Sequence, residues 1–209
     1  MKKIVTAALA AALLLIPFSA AATPDQVEIP LPPQVVDYVP GTAPAEVTVA
    51  EAMTPAVHAS MLALMNHQAD RFDSSDRELV WETLYNMLSM YGQLDERAEY
   101  QGDYLLIPDE TVADYAAALL PEPALLGAMP QFLSDRMSHD AATGSYLVVC
   151  GNDDLSTLNI QSAPLTNGQL LLSGTLVSEA DGCETAAFQA VVQRADNLLG
   201  CELISMDLL

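Results

Sequence analysis

Three histidines, three cysteines and the paired carboxylates Asp153-Asp154 are the residues of this 209-residue chain with types and spacing suited to chemistry. His58, Met61 and Met65 fall on one helical face, and an imidazole with two thioethers is a soft donor set that suits Cu(I). Methionine at core spacing is also ordinary packing material, and that use is the one favoured here, so no metal and no cofactor is assigned. His58 and His67 stand nine apart, on opposite sides of one helix, and cannot share an ion from it. His139-Asp140 precedes a turn, where the carboxylate most simply caps backbone N–H groups. Asp153 and Asp154 follow Gly151-Asn152 in a polar loop, where adjacent acids serve acid/base work, calcium or plain solvation. The ordered Asp-x-Asp-x-Asp-Gly pattern of a calcium loop is absent. So are the Gly-x-Ser-x-Gly elbow and the His-Glu-x-x-His helix. No catalytic residue is assigned, and the balance points away from an enzyme.

Cys150, Cys183 and Cys201 permit one bridge and leave one thiol over. If the strands around them run as a simple meander, Cys150 and Cys183 share one end of the sheet and are the pair to test. Three reduced thiols are the alternative. No Cys-x-x-Cys spacing points to zinc or to thiol redox work.

The elements that must position these residues follow an export leader and a spacer. Lys2-Lys3, an apolar run over 4–18 and the small residues Ser19-Ala-Ala-Ala22 predict a signal peptide over 1–22. Fifteen apolar residues fall short of the roughly 20 that a spanning helix needs. No second run is long enough to span, so no membrane span is expected after cleavage, and the chain is expected outside the cytoplasm, at the cell envelope or beyond. Pro24, Pro30, Pro32, Pro33, Pro40 and Pro44 make 23–50 a Pro-rich extended tether. One domain is expected over 51–209. Without the two leader lysines, five arginines face 28 acidic residues, a net charge of −23. Phosphate backbones repel such a chain, which excludes nucleic acid as a natural partner.

Three helices are predicted. The first spans 54–70, with Thr54 as N-cap and Pro55 at the first helical position. The second starts at the Ser75-Asp-Arg-Glu78 capping-box spacing and stops at Gly92. Leu79, Val80, Trp81, Leu84, Tyr85, Met87, Leu88, Met90 and Tyr91 cover most of its circumference, leaving Glu82, Thr83, Asn86 and Ser89 as a polar seam. Such a helix is central or shared with a partner. The third helix spans 108–120, after a small hairpin around Gln101-Gly102. Beyond it, 137–208 reads as strands separated by the turn signals Asp140–Gly144, Asn167-Gly168, Asp181-Gly182 and Asp196-Asn197. Alternation sends Leu170, Leu172, Leu176, Phe188 and Val192 inward, and a tight last turn sets Val192 opposite Cys201, with Leu199, Cys201 and Leu203 inward.

The expected fold is therefore α+β, with N-terminal helices packed on a C-terminal antiparallel β-meander of five to six strands. This order of elements and its turns resemble the NTF2-like or cystatin-like domains of small uncharacterised exported proteins of Gram-positive bacteria. The resemblance covers about 53–208 and implies ligand pockets, protein-interaction modules or enzyme inhibitors, with no site residue to carry over. The function expected is non-catalytic binding of an envelope or extracellular protein, or of a small ligand. The alternative is an acid-rich envelope hydrolase using carboxylate or metal-assisted chemistry. The binding surface is expected around Trp81, Tyr91, Asp153 and Asp154, where the 151–154 loop meets the second helix. The oligomeric state is left open.

Overall fold

The computed structural model describes residues 47–151 and 155–209. The expected leader and tether up to residue 46, and residues 152–154 with Asp153 and Asp154, lie outside the described residues. In chain order the elements are α1 (Val49–His67), β1 (Arg71–Phe72), α2 (Arg77–Tyr91), β2 (Glu99–Gln101), β3 (Tyr104–Pro108) and α3 (Asp109–Ala116). Then follow β4 (Met137–Asp140), β5 (Ser145–Val149), β6 (Ser156–Pro164), β7 (Gln169–Ser178), β8 (Glu184–Arg194) and β9 (Cys201–Leu208). The chain is α+β: helices occupy the first half and antiparallel strands dominate the second.

The strands form two sheets. β1-β9-β8-β7-β6 make one and β2-β3-β5-β4 the other. α1 packs on the five-stranded sheet, α2 packs against α1 on one side and β5 on the other, and α3 adjoins β3 and β5. The cause lies in α2, where every residue from Leu79 to Met90 is buried. A helix apolar nearly all round needs cover on both sides, which one sheet cannot supply. Its polar seam is buried as well and finds partners. Glu82 accepts from both Arg136 guanidinium nitrogens at 3.1 and 2.8 Å and from Asn66 at 3.2 Å. Asn86 donates to the Ala59 carbonyl of α1 at 3.3 Å, and Ser89 donates to the Val149 carbonyl at 2.8 Å.

Several boundaries differ from the expected ones. α1 begins at a capping box: Thr48 accepts from the Glu51 N–H, while the Glu51 carboxylate accepts from the Thr48 N–H at 2.8 Å. Pro55 lies inside the helix. Thr54-Pro55 imitates an N-terminus, but the stronger cap upstream carries the helix into residues assigned to the tether. The N-cap of α2 is Asp76, accepting from Glu78 and Leu79 N–H groups, one residue after the expected Ser75. α3 ends at Ala116, and the turn after it is tied to the five-stranded sheet. The Leu203 N–H donates to the Ala118 carbonyl at 2.8 Å, and the Asn197 side chain donates to the Ala117 carbonyl at 2.8 Å.

The hairpins follow the turn chemistry. Asn167 and Gly168 both sit at positive φ, as do Gly144 and Gly182. The β8–β9 turn is longer than a tight Asp196-Asn197 hairpin, with Gly200 at positive φ and a bulge at Val191/Val192. Val192 accordingly pairs with Leu203, and Arg194 with Cys201. Cys201 and Leu203 are buried, and Leu199 packs partly buried against the core. Cys150, Cys183 and Cys201 are free thiols. Cys150 follows β5 of one sheet and Cys183 precedes β8 of the other, so the shared sheet end that motivated pairing them does not exist.

Candidate functional site

His58 lies on α1 where that helix passes the start of β6, and it is only 2% exposed. Its Nδ1 is 2.6 Å from the Tyr91 hydroxyl and its Nε2 is 2.9 Å from the Ser156 hydroxyl. Three elements thus converge on one ring. Tyr91 is the last residue of α2, and its carbonyl accepts from the Tyr115 hydroxyl of α3 at 3.1 Å. The same helix end is pinned from below, because the Gly151 N–H donates to the Ser89 carbonyl at 2.9 Å. A Cβ at Gly151 would stand 2.7 Å from the Ser89 hydroxyl and would displace it from its bond with the Val149 carbonyl. The chain leaving β5 therefore grips the end of α2 on its way to β6.

Ser156 faces His58 because of strand parity. Leu155 pairs with Glu179, and Leu165 with Gln169, through backbone hydrogen bonds at the two ends of the β6–β7 ladder. Even-numbered residues of β6 share one sheet face, and the burial of Leu158 and Ile160 against the core marks it as the face turned toward the helices. A neutral imidazole donates from one nitrogen and accepts at the other, and both hydroxyls can take either role. Which nitrogen donates and which accepts depends on the tautomer.

An open groove of about 520 Å³ lies over this cluster, lined by Thr54, His58, Tyr91, Ser156, Thr157, Leu158 and Glu179. Among the described residues its lining is hydroxyl-rich, with one imidazole, one carboxylate and one leucine. The mixture suits a ligand carrying several neutral donors and acceptors.

The structure redistributes the residues expected to form the surface. Trp81 is wholly buried, and its indole N–H donates to the Leu126 carbonyl at 3.1 Å, so it belongs to the core and not to a binding surface. Tyr91 does line the groove. Asp153 and Asp154 lie outside the described residues. On the His58-Met61-Met65 face of α1, Met61 is buried, Met65 is 42% exposed, and both His58 ring nitrogens lie against hydroxyls. Among the described residues no three His, Cys, Asp or Glu side chains gather closely enough to hold a metal ion. His139 contacts the Asp109 carboxylate at 3.0 Å and packs its ring on Tyr146 at 4.5 Å. Asp140 caps its turn, accepting from the Ala142 N–H at 2.9 Å and the Thr143 hydroxyl at 3.0 Å, which holds its carboxyl below the usual range.

Thr54, Ser156, Thr157 and Glu179 carried no signal in the sequence. Ser156 meets His58 across 98 residues of chain, and hydroxyl residues at that separation look like any others. Of the groove residues, Tyr91 was expected at a binding surface and His58 was singled out with Met61 and Met65 on one helical face. The chain matches no family model, no curated protein and no solved structure.

Proposed function

We propose that this chain is a non-catalytic binding domain that works outside the cytoplasm and takes a small polar ligand in the groove over His58. The carrying observation is the convergence of Tyr91, His58 and Ser156 from three different elements beneath an open cleft of about 520 Å³. Ligand sites are clefts of roughly 300–1,000 Å³ with a few convergent polar groups. The hydroxyls of Thr54, Tyr91, Ser156 and Thr157 fit a polyol or saccharide, and Glu179 on the rim favours a neutral or cationic ligand over an anion. The leader expected over 1–22 supports the location.

The test is a thermal-shift screen of the processed protein against mono- and disaccharides, free amino acids and polyamines. A ligand near 100 times its Kd adds about 2.7 kcal/mol of stability. At least one compound is expected to raise Tm, and Tyr91→Phe or Thr54→Val to reduce the shift. No shift in any set, or a shift indifferent to both variants, contradicts the proposal.

One contact favours a second function. A serine hydroxyl 2.9 Å from an imidazole nitrogen, with the other nitrogen held by a hydroxyl, is the arrangement of a nucleophile and its base. It differs from the carboxylate or metal-assisted hydrolase expected as the alternative. Covalent labelling of Ser156 by a fluorophosphonate, abolished in Ser156→Ala, would replace the binding function with this one.

A further inference from the structure

We propose that the open edge of β6 pairs with β6 of a second copy, antiparallel about a twofold axis at Asn159, joining two five-stranded sheets into one. Four sheet edges are present among the described residues, and three of them are protected. β1 is two residues long and carries the Arg71–Asp207 ion pair, β2 is three residues long with Glu99, and β4 is four residues long with His139 and Asp140. Short strands and charges are the ordinary defences against edge pairing. β6 has neither defence. It runs nine residues, and 155–165 contain no Lys, Arg, Asp or Glu in a chain of net charge −21.

The ladder with β7 shows which groups are open. Odd-numbered residues of β6 bond to β7, so Ser156, Leu158, Ile160 and Ser162 direct N–H and C=O away from the sheet. No hydrogen-bond partner takes these groups among the described residues. Pro164, next in the even series, has no N–H and ends the open ladder. A groove of about 560 Å³ lies against β6, β7 and the start of β8, lined by Asn159, Gln161, Ser173, Thr175 and Glu184 among others, so the surface beside β6 is open.

A second copy fits this edge better than other occupants because the strand is complementary to itself. With the axis at Asn159, Leu158 meets Ile160 of the other copy on the helix side, and Ser156 meets Ser162. The two Asn159 amides face each other, and open backbone groups meet open backbone groups, about eight hydrogen bonds in all. Charge sets the direction. Glu179, Asp181 and Glu184 cluster at the Ser156 end, while the Leu165-Thr-Asn-Gly168 tip at the other end is uncharged. Antiparallel pairing places each acidic end against a neutral tip. A parallel arrangement would place the acids together.

Sedimentation of the processed protein from micromolar to millimolar concentration, at physiological salt, tests this. The mass is expected to double with concentration, and Asn159→Lys, which opposes two lysines on the axis, to weaken association at least about tenfold. In a Cys183→Ser background, Asn159→Cys is expected to oxidise to a covalent dimer, while Thr175→Cys, one strand inward, stays monomeric. That arm reads the edge even if the lysine variant misfolds. Monomer at every concentration, the result expected if residues 1–46 or a foreign peptide fill the edge, overturns the proposal. So does a dimer that Asn159→Lys leaves intact, or cross-linking at Thr175 in place of Asn159. Asn159, Thr175 and Cys183, the positions substituted in this test, do not line the His58 groove, so failure here is separable from failure of the binding proposal.

Discussion

Glu82 is a buried carboxylate with little freedom to change. It is buried on the central helix, takes both nitrogens of the Arg136 fork, and Arg136 in turn lies 4.6 Å over the Tyr85 ring. Removing one partner of such a pair leaves the other charge without its counterpart. Arg136 is about a third exposed, so water recovers part of that loss. Glu82→Ala is expected to destabilise the fold by about 2–3 kcal/mol in urea unfolding, and Glu82→Gln by less. Asp140 acts at the opposite extreme, on the surface. Backbone and hydroxyl donors of its turn hold the folded carboxyl below its ordinary 3.8. Its contribution is therefore complete above 3.8 and is lost as pH falls through the lower, folded value. The stability gap between the native protein and Asp140→Ala is expected to be constant near neutrality and to close below about pH 4, measured by thermal unfolding across pH.

At the scale of elements, β6 depends on one glycine in its neighbour. A Cβ at Gly174 would stand 1.8 Å from the Asn159 carbonyl oxygen, a backbone atom that cannot swing aside. Gly174→Ala is expected to push β6 off β7, lowering Tm by several degrees, with faster hydrogen exchange across 156–164 than across β8. Nothing in the sequence distinguishes that glycine from those of the turns, because the clash arises between strands. Turn chemistry was easier to see. Asn167-Gly168 and Asp140–Gly144 announced their hairpins because few residues accept the backbone those turns need. The start of α1 was misplaced for a local reason, a Thr-Pro pair that imitates a helix entry inside a helix already begun at Thr48. The polar seam of α2 was visible as a pattern, but whether it faced water, a partner or the core depended on Asn66, Arg136 and Val149 arriving from elsewhere.

At the scale of the whole molecule, the breadth of apolar surface on α2 implied a helix either central or shared with a partner, and α1 on one side and the four-stranded sheet on the other are the cover it finds. The existence of an α+β fold was legible for that reason; the division of strands between sheets was not, because β3 and β5 join only when the chain closes over forty residues. The site repeats the pattern. His58 was singled out beside Met61 and Met65 on one helical face, whereas Ser156, Thr54 and Glu179 gain functional meaning only from where α1 and β6 meet. That junction is where we place binding. The most direct test is a two-dimensional NMR titration of the processed protein with the strongest compound from the thermal-shift screen. Binding at this junction predicts saturable shift changes centred on Thr54, His58, Tyr91, Ser156 and Thr157, with the Gln101–Leu147 side of the other sheet unmoved. Changes centred on that other sheet, or none at saturating ligand, would contradict it.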